Sequence, residues 1–174
     1  MEENINTITT LHNLLDYDAR KFIVAETILE ACLTNWINKA GTIKLKTILQ
    51  QYRAVVQIHS KKMQAFVEDE QIQLVSTTSM VMTAYVAEAN EKLAHCSDAP
   101  IMDACIVASV QAINHFKISM YGTAAAFANT LGMEKQAALF HEATIHEKKI
   151  DDRLSQLAAF EVNHSASSPL ALPG

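Results

Sequence analysis

Breakers are scarce in this chain. Its 174 residues include 4 glycines and 3 prolines, and two of the prolines, Pro169 and Pro173, fall in the last seven residues. So little Gly and Pro argues against a sheet protein with many tight turns and for long helices. No stretch of about 18 consecutive apolar residues occurs, so no bilayer-spanning helix is expected. The opening MEENINT is acidic and has neither the basic start nor the apolar run of a signal peptide. Positive charge is in deficit. A formal net charge of −5 argues against nucleic acid or an anionic membrane as the main partner. The three cysteines, Cys32, Cys96 and Cys105, form no CxxC pair. An odd count without that spacing is expected of reduced, mostly buried thiols in a cytoplasmic protein. No Cys/His cluster has zinc spacing, no Gly-rich loop could cradle phosphate, and no GxSxG elbow is present.

What is present is helical periodicity. Apolar residues make up 49% of the chain, and its length suits one domain with a sizeable core. Ile8, Leu11, Leu15, Phe22, Ala25, Leu29, Cys32 and Trp36 follow three-four spacing and predict a helix from about Ile8 to Asn38, capped by Asn6 or Thr7. Gly41 suits the position after a helix end, and Thr42 suits the next cap. A second helix is expected from Ile43 to Ile72, with Ile48, Tyr52, Val55, Ile58 or His59, Met63 and Phe66 inward. Residues 73–79 read as a linker, and a short third helix follows over Ser79–His95. Ser97-Asp98-Ala99-Pro100 is a strong helix start. The fourth helix then runs to Leu131, with an apolar stripe at Phe116, Met120, Ala124, Phe127 and Leu131, and Gly132 closes it. A fifth runs from Glu134 to Val162. These elements predict an all-α fold, an antiparallel four-helix bundle of the ferritin-like kind with a short extra helix in the crossover. Residues 1–162 form the bundle and 163–174, rich in Ser and Pro, a loose tail.

Such a bundle invites a search for a carboxylate-bridged dimetal centre. That centre takes a Glu from each of two helices and a Glu-x-x-His from each of the other two. The spacing matters because residues three apart share one helical face. The chain's only Glu-x-x-His is Glu161 to His164, at the tail junction, where it reads as chance. Glu91/His95 and Glu142/His146, four apart, read as helix-surface pairs rather than ion sites. The odd feature is in INHFKISMYGTAAAFANTLG, residues 113–132. Asn114 and Lys117 lie one turn apart, on or beside the apolar stripe.

The segments Ala25-Glu26-Thr27-Ile28-Leu29, Glu88-Ala89-Asn90-Glu91 and Asp103-Ala104 carry a family likeness. So do His115-Phe116 through Tyr121-Gly122-Thr123, Leu131-Gly132, and Glu147-Lys148 through Asp151, Leu154 and Leu157-Ala158. Together they resemble the YciF-type bacterial stress proteins, from about residue 20 to 162 and most specifically over 103–158. The resemblance implies a ferritin-like bundle that tends to dimerise and is associated with stress responses, many members carrying a dimetal centre of the rubrerythrin kind. Carried over residue by residue, the first-helix glutamate matches Glu26. Ala54, Val55 and Gln57 stand where the family has a Glu-Glu-x-His cluster. Asn114 and Lys117 stand in place of glutamates, and Ile145, His146 and Glu147 in place of an acidic run.

Two divalent ions bring about four positive charges, and most of the carboxylates that would offset them are missing. The expectation is therefore that Lys117 replaces the metal as the cation beside a buried Glu26, with Asn114, Gln57 and His146 hydrogen-bonded around the pair. The function expected is that of a metal-free structural or partner-binding stress protein, a cytoplasmic homodimer without cofactor, whose protein partner is not identified. The alternative is a residual metal-binding, ferritin/rubrerythrin-like oxidase or peroxide-handling protein holding iron or manganese through Glu26, Glu142, His146, Glu147 and His59. A third is a small-molecule binder with an interior lined by Ala54, Ala112 and Ala124 to Ala126.

Overall fold

A computed structural model describes residues 7–73 and 78–167. Long helices with short connections dominate, and no strand occurs among the described residues. Helix α1 spans Leu11–Lys39, α2 Ile43–Asp69, α3 Met80–Ala94, α4 Ala99–Thr130 and α5 Glu134–Leu157. The last helix passes through a π turn, Ala158–Val162, into a short α6, Asn163–Ser167. The chain thus stays helical five residues past the expected bundle end at Val162, and 168–174 lie outside the described residues.

Side-chain caps set the starts. The Thr10 hydroxyl accepts from the Asn13 amide at 3.0 Å, Thr42 from Leu45 at 3.4 Å, and the Asp98 carboxylate from Ile101 at 3.0 Å. The first cap is thus Thr10 rather than Thr7, and Asn6 falls outside the described residues. Gly132 is left-handed, φ 72°, and the Met133 amide reaches back to the Ala128 carbonyl at 2.9 Å, closing α4. Gly41 has a different reason. A Cβ there would sit 3.0 Å from the Ala99 Cβ, so the glycine permits close approach of the α1–α2 turn to the start of α4. The buried Asp103 carboxylate accepts the Gly41 and Thr42 amides at 2.6 and 3.0 Å and fastens the turn from the other side.

Helix α1 packs on α2 and α4 on α5, while α2–α5 and α1–α4 contacts close the bundle. The Glu70–Gln136 hydrogen bond puts the end of α2 beside the start of α5. The Asp103 contacts put the start of α4 beside the α1–α2 turn. The crossover therefore runs the length of the bundle. Helix α3 packs on α1 and α4, and the Trp36 indole donates to Asn90 at 3.0 Å. This is the ferritin-like antiparallel four-helix arrangement with a short crossover helix.

The apolar interior is in two parts. One gathers Leu29, Leu33, Trp36, Leu49, Val110 and Leu154 near the α1–α2 turn. The other gathers Leu15, Phe22, Met63, Phe66, Ala128 and Phe140 near the α4–α5 turn. Phe140 meets Phe22 and Phe66 edge-on, with centroids 6.1 and 5.1 Å apart. Among the described residues, no helix is long and apolar enough to cross a membrane.

Candidate functional site

Between the two apolar parts lies a layer of buried polar side chains. Each bundle helix contributes through its inward row. Helix α1 brings Glu26, between Phe22 and Leu29, and α2 brings Tyr52 and His59, seven apart and hence on one face. Helix α4 brings Asn114, Lys117 and Tyr121, and α5 brings Glu147. Glu26, Lys117, Asn114 and Glu147 are all 0% exposed.

The Lys117 ammonium sits between two carboxylates. Its Nζ is 2.9 Å from Glu26 Oε2 and 2.5 Å from Glu147 Oε1. It meets them at ion-pair distance rather than along well-aligned hydrogen bonds. The second oxygens are taken by neutral donors. Tyr121 donates its hydroxyl to Glu26 Oε1. Tyr52 and Asn114 donate to Glu147 Oε2 at 2.7 and 2.6 Å. The His59 Nδ1 lies 3.4 Å from Glu147 Oε1 and 3.7 Å from Glu26 Oε1. The Tyr52 and Tyr121 rings flank the ammonium, centroids 5.2 and 5.9 Å from Nζ.

Burial opposes every charge here, yet the partners prevail. Desolvation disfavours ionised Glu147, but Lys117 and then His59 bring it from 4.5 down to about 2. Desolvation likewise works against the Lys117 ammonium, but Glu147 and Glu26 hold it above its ordinary value. His59 is raised as well, the pull of Glu147 and Glu26 exceeding burial and the repulsion of Lys117. Both tyrosines are pushed well above 10, first by burial and then by the adjacent carboxylates, so each stays a phenol that donates. With His59 as imidazolium, two negative and two positive charges balance.

One path leads outward. The His59 Nε2 is 3.2 Å from His146 Nδ1, and the rings stack with centroids 5.5 Å apart. His146 is half-buried and lowered, by burial and then by His59, which suits a neutral acceptor. Its Nε2 is 3.9 Å from exposed Glu142, which pairs with Lys62.

Of the residues singled out in sequence, the layer brings together Glu26, Asn114, Lys117 and Glu147, with His59 beside them and His146 at its edge. It does not include Ala54, which is exposed, nor Gln57, which is half-buried and donates to Glu30 at 2.7 Å. Gln57 is a correction to the expected cluster. The inward row of α2 is Tyr52, Val56, His59, Met63, so 54 and 57 face away from the centre. Ile58 is corrected likewise, being 45% exposed, while Val55 is half-buried against the apolar core. Glu142 stays outside the layer, and Ile145 is 38% exposed. Ala54, Ala112 and Ala126 are exposed, so those three line no interior cavity. Tyr52, expected inward as a core residue, and Tyr121, part of the family likeness, are not among the expected site residues. The signal available was spacing, Tyr121 lying four after Lys117 and Tyr52 seven before His59.

Residues 10–167 match the family described as a domain of unknown function, DUF892. The chain belongs to this YciF-type family. Protein YciF of Escherichia coli K12 is 35% identical over 89 residues, 51% of this chain, and the match spans only 54% of that relative's length. The crystal structure of the E. coli stress protein YciF superposes with a TM-score of 0.83 at 25% identity, covering 90% of this chain and 99% of that one. YcfI of Rhodopseudomonas palustris, provisionally described as a structural protein, gives 0.81 at 23% identity over 89% and 97% of the two chains. YciF-type architecture thus spans nearly all described residues.

Proposed function

We propose that this chain is a structural or partner-binding stress protein, a YciF-type bundle whose central polar layer is built around a lysine in place of a dimetal cluster. One observation carries the reading: Lys117 Nζ, fully buried, lies 2.9 and 2.5 Å from two carboxylates on different helices. That is the place a bridging cation would take. The donor set does not fit two divalent ions. It offers two carboxylates against about four positive charges, and the ammonium adds a fifth. Among the described residues, no three His, Cys, Asp or Glu side chains converge as an ion-holding group. The tyrosines and Asn114 donate to the carboxylate oxygens that turn away from the ammonium, which leaves Lys117 as the cation between the other two. The likeness to a stress protein and to a provisionally structural one supports the role outside the centre. The same reading carries a cytoplasmic homodimer.

Elemental analysis of protein purified without chelator, followed by titration with ferrous iron, tests this. Iron, manganese and zinc are expected far below one equivalent, with no saturable iron uptake. A full equivalent of tightly bound metal per chain would overturn the reading in favour of a residual oxidase using Glu26, Glu142, His146 and Glu147.

A further inference from the structure

Helix α4 shows no carboxylate or strong base to solvent. Over its 32 residues such side chains are Asp103 and Lys117, and both are buried. Its exposed histidine, His115, is turned to Asp151 of α5. Each other bundle helix exposes charge: Lys39 on α1, Lys61 and Glu68 on α2, Lys148 and Asp152 on α5. The outer row of α4 near its end is Ser119, Thr123, Ala126 and Thr130, all exposed, with Gly122 half-buried beside it. Glycine within a helix is less stable than alanine. A Cβ at Gly122 would have no packing neighbour within 4 Å among the described residues, so the fold of one chain does not require glycine there. The start of α3 extends the uncharged surface, since residues 78–87 hold no Asp, Glu, Lys or Arg. Helices α3 and α4 form a hairpin, and Tyr85, Glu88 and Lys92 line a cleft of about 190 Å³ against Cys105, Ala108 and Ala112. Val81 lies one turn before Tyr85 on that row, and Tyr85 meets Phe116 with ring centroids 5.9 Å apart. Val81 therefore sits beside the later half of α4, where it is 48% exposed, with Met80 at 78%.

We propose that this uncharged face is where a second copy of the chain docks, the α4 helices of the two copies crossing antiparallel about a two-fold axis at Gly122 and Thr123. The inference rests on the homodimer of the proposed function and names its interface. The occupant follows from charge. A two-fold axis sets a face against itself, so a charge near the axis meets its like, at a cost in free energy. A chain of net charge −5 therefore pairs with its own copy most readily across a face that carries none. The centres of protein interfaces are likewise depleted of charge and enriched in Met, as here at Met80. About the proposed axis Ser119 lies against the partner's Ala126, and Gly122 lets the two backbones approach closely where a Cβ would hold them apart. Met80 and Val81 then cover the flank of the contact, and the glycine that one chain leaves unexplained has its reason in the pair.

Sedimentation of the full chain over a range of concentrations tests this. The native protein should sediment as a dimer. Ala126→Glu should halve the mass, while Lys148→Glu, on the exposed face of α5, should leave it unchanged. Gly122→Ala separates the interface from the fold, because its effects on the two have opposite signs. It should raise the urea midpoint of dilute, dissociated chain, where a Cβ is free of clashes and favours the helix. It should also weaken self-association by roughly tenfold or more, where the same Cβ overfills the contact. A dimer that persists in Ala126→Glu, with an unchanged dissociation constant in Gly122→Ala, would overturn this interface and leave the homodimer standing. A native chain that stays monomeric throughout would overturn both.

Discussion

The two apolar compartments and the layer between them are held together differently. In the compartments each side chain touches many neighbours, and stability accrues by area, so a loss at one position is partly absorbed by its surroundings. In the layer, Glu26, Glu147, Lys117 and His59 are tolerable only together, because each is the reason another can stay charged without water. The compartments are additive and the layer is collective. The apolar parts determine that four helices pack, and the layer only has to balance its own charge.

The largest effect expected is at Lys117. Lys117→Ala leaves two buried carboxylates facing one another across an empty space and should cost about 3–5 kcal/mol in urea unfolding. Replacing the whole group, Lys117→Met with Glu26→Leu and Glu147→Leu, should restore most of that loss, since no charge is then left unpaired. Leu33→Ala, fully buried in one compartment, should cost about 2–5 kcal/mol with no such rescue by a second deletion nearby. If the triple variant is as unstable as Lys117→Ala alone, the layer is not collective and the contrast fails. Divalent metal added to Lys117→Ala gives a second reading, because a cation that restores stability would be replacing the ammonium.

The next effect is on pH dependence, which the layer imposes and the compartments do not. His59 titrates above its ordinary 6.5 in the fold, burial being outweighed by Glu147 and Glu26. Its contribution is full below 6.5 and is lost as pH rises through the raised value. Glu147 moves the other way, against burial, from 4.5 to about 2, so its contribution is full above 4.5 and is lost as pH falls toward 2. His146 is lowered and opposes His59, its own contribution fading as pH drops below 6.5, but it is 27% exposed and solvent damps it. Stability should therefore be greatest between 4.5 and 6.5 and fall on both sides. Urea midpoints measured across this range should show His59→Gln losing the decline just above 6.5 while keeping the acid one. An undiminished alkaline decline in that variant would assign it to another group.

The same contrast explains what was legible in the sequence. Caps and stops are local, so Thr42 and Gly132 could be placed from residue type alone, and the start of α4 narrowed to Ser97 or Asp98. Hydropathy reads the compartments well because their inward residues are apolar. It misreads the layer, where the inward row of α4 is Asn114, Lys117, Tyr121 and then Ala124, Ala125 and Ala128. The apparent stripe at Phe116, Met120 and Phe127 is the half-buried flank, displaced because a lysine counts as solvent-facing in any hydrophobic pattern. Helix α2 shows the same slip. Ile58 is apolar and exposed, His59 polar and buried, and only the second is in the interior. Gln57 was placed at the centre by likeness, and it misses by two residues, enough on a helix to turn a side chain to the opposite side.

The smallest effect expected concerns a third buried carboxylate that lies outside the layer. Asp103 is 2% exposed, nearly as buried as Glu26 and Glu147, but among the described residues it has no ion pair, and its carboxylate accepts two backbone amides instead. Its oxygens take the Gly41 and Thr42 amides, two donors otherwise left over at the start of α2. The amides belong to a turn that can yield, so loss of the acceptor should expose them to water rather than strand a charge. Asp103→Asn keeps the shape and one acceptor and should cost about 1–2 kcal/mol, well under the Lys117→Ala value. Amide hydrogen exchange should quicken at Gly41 and Thr42 while remaining slow at Tyr52 and His59. A cost equal to that of Lys117→Ala, or faster exchange spreading through α2 to those residues, would show that the turn and the layer act as one unit and that the division drawn between them is wrong.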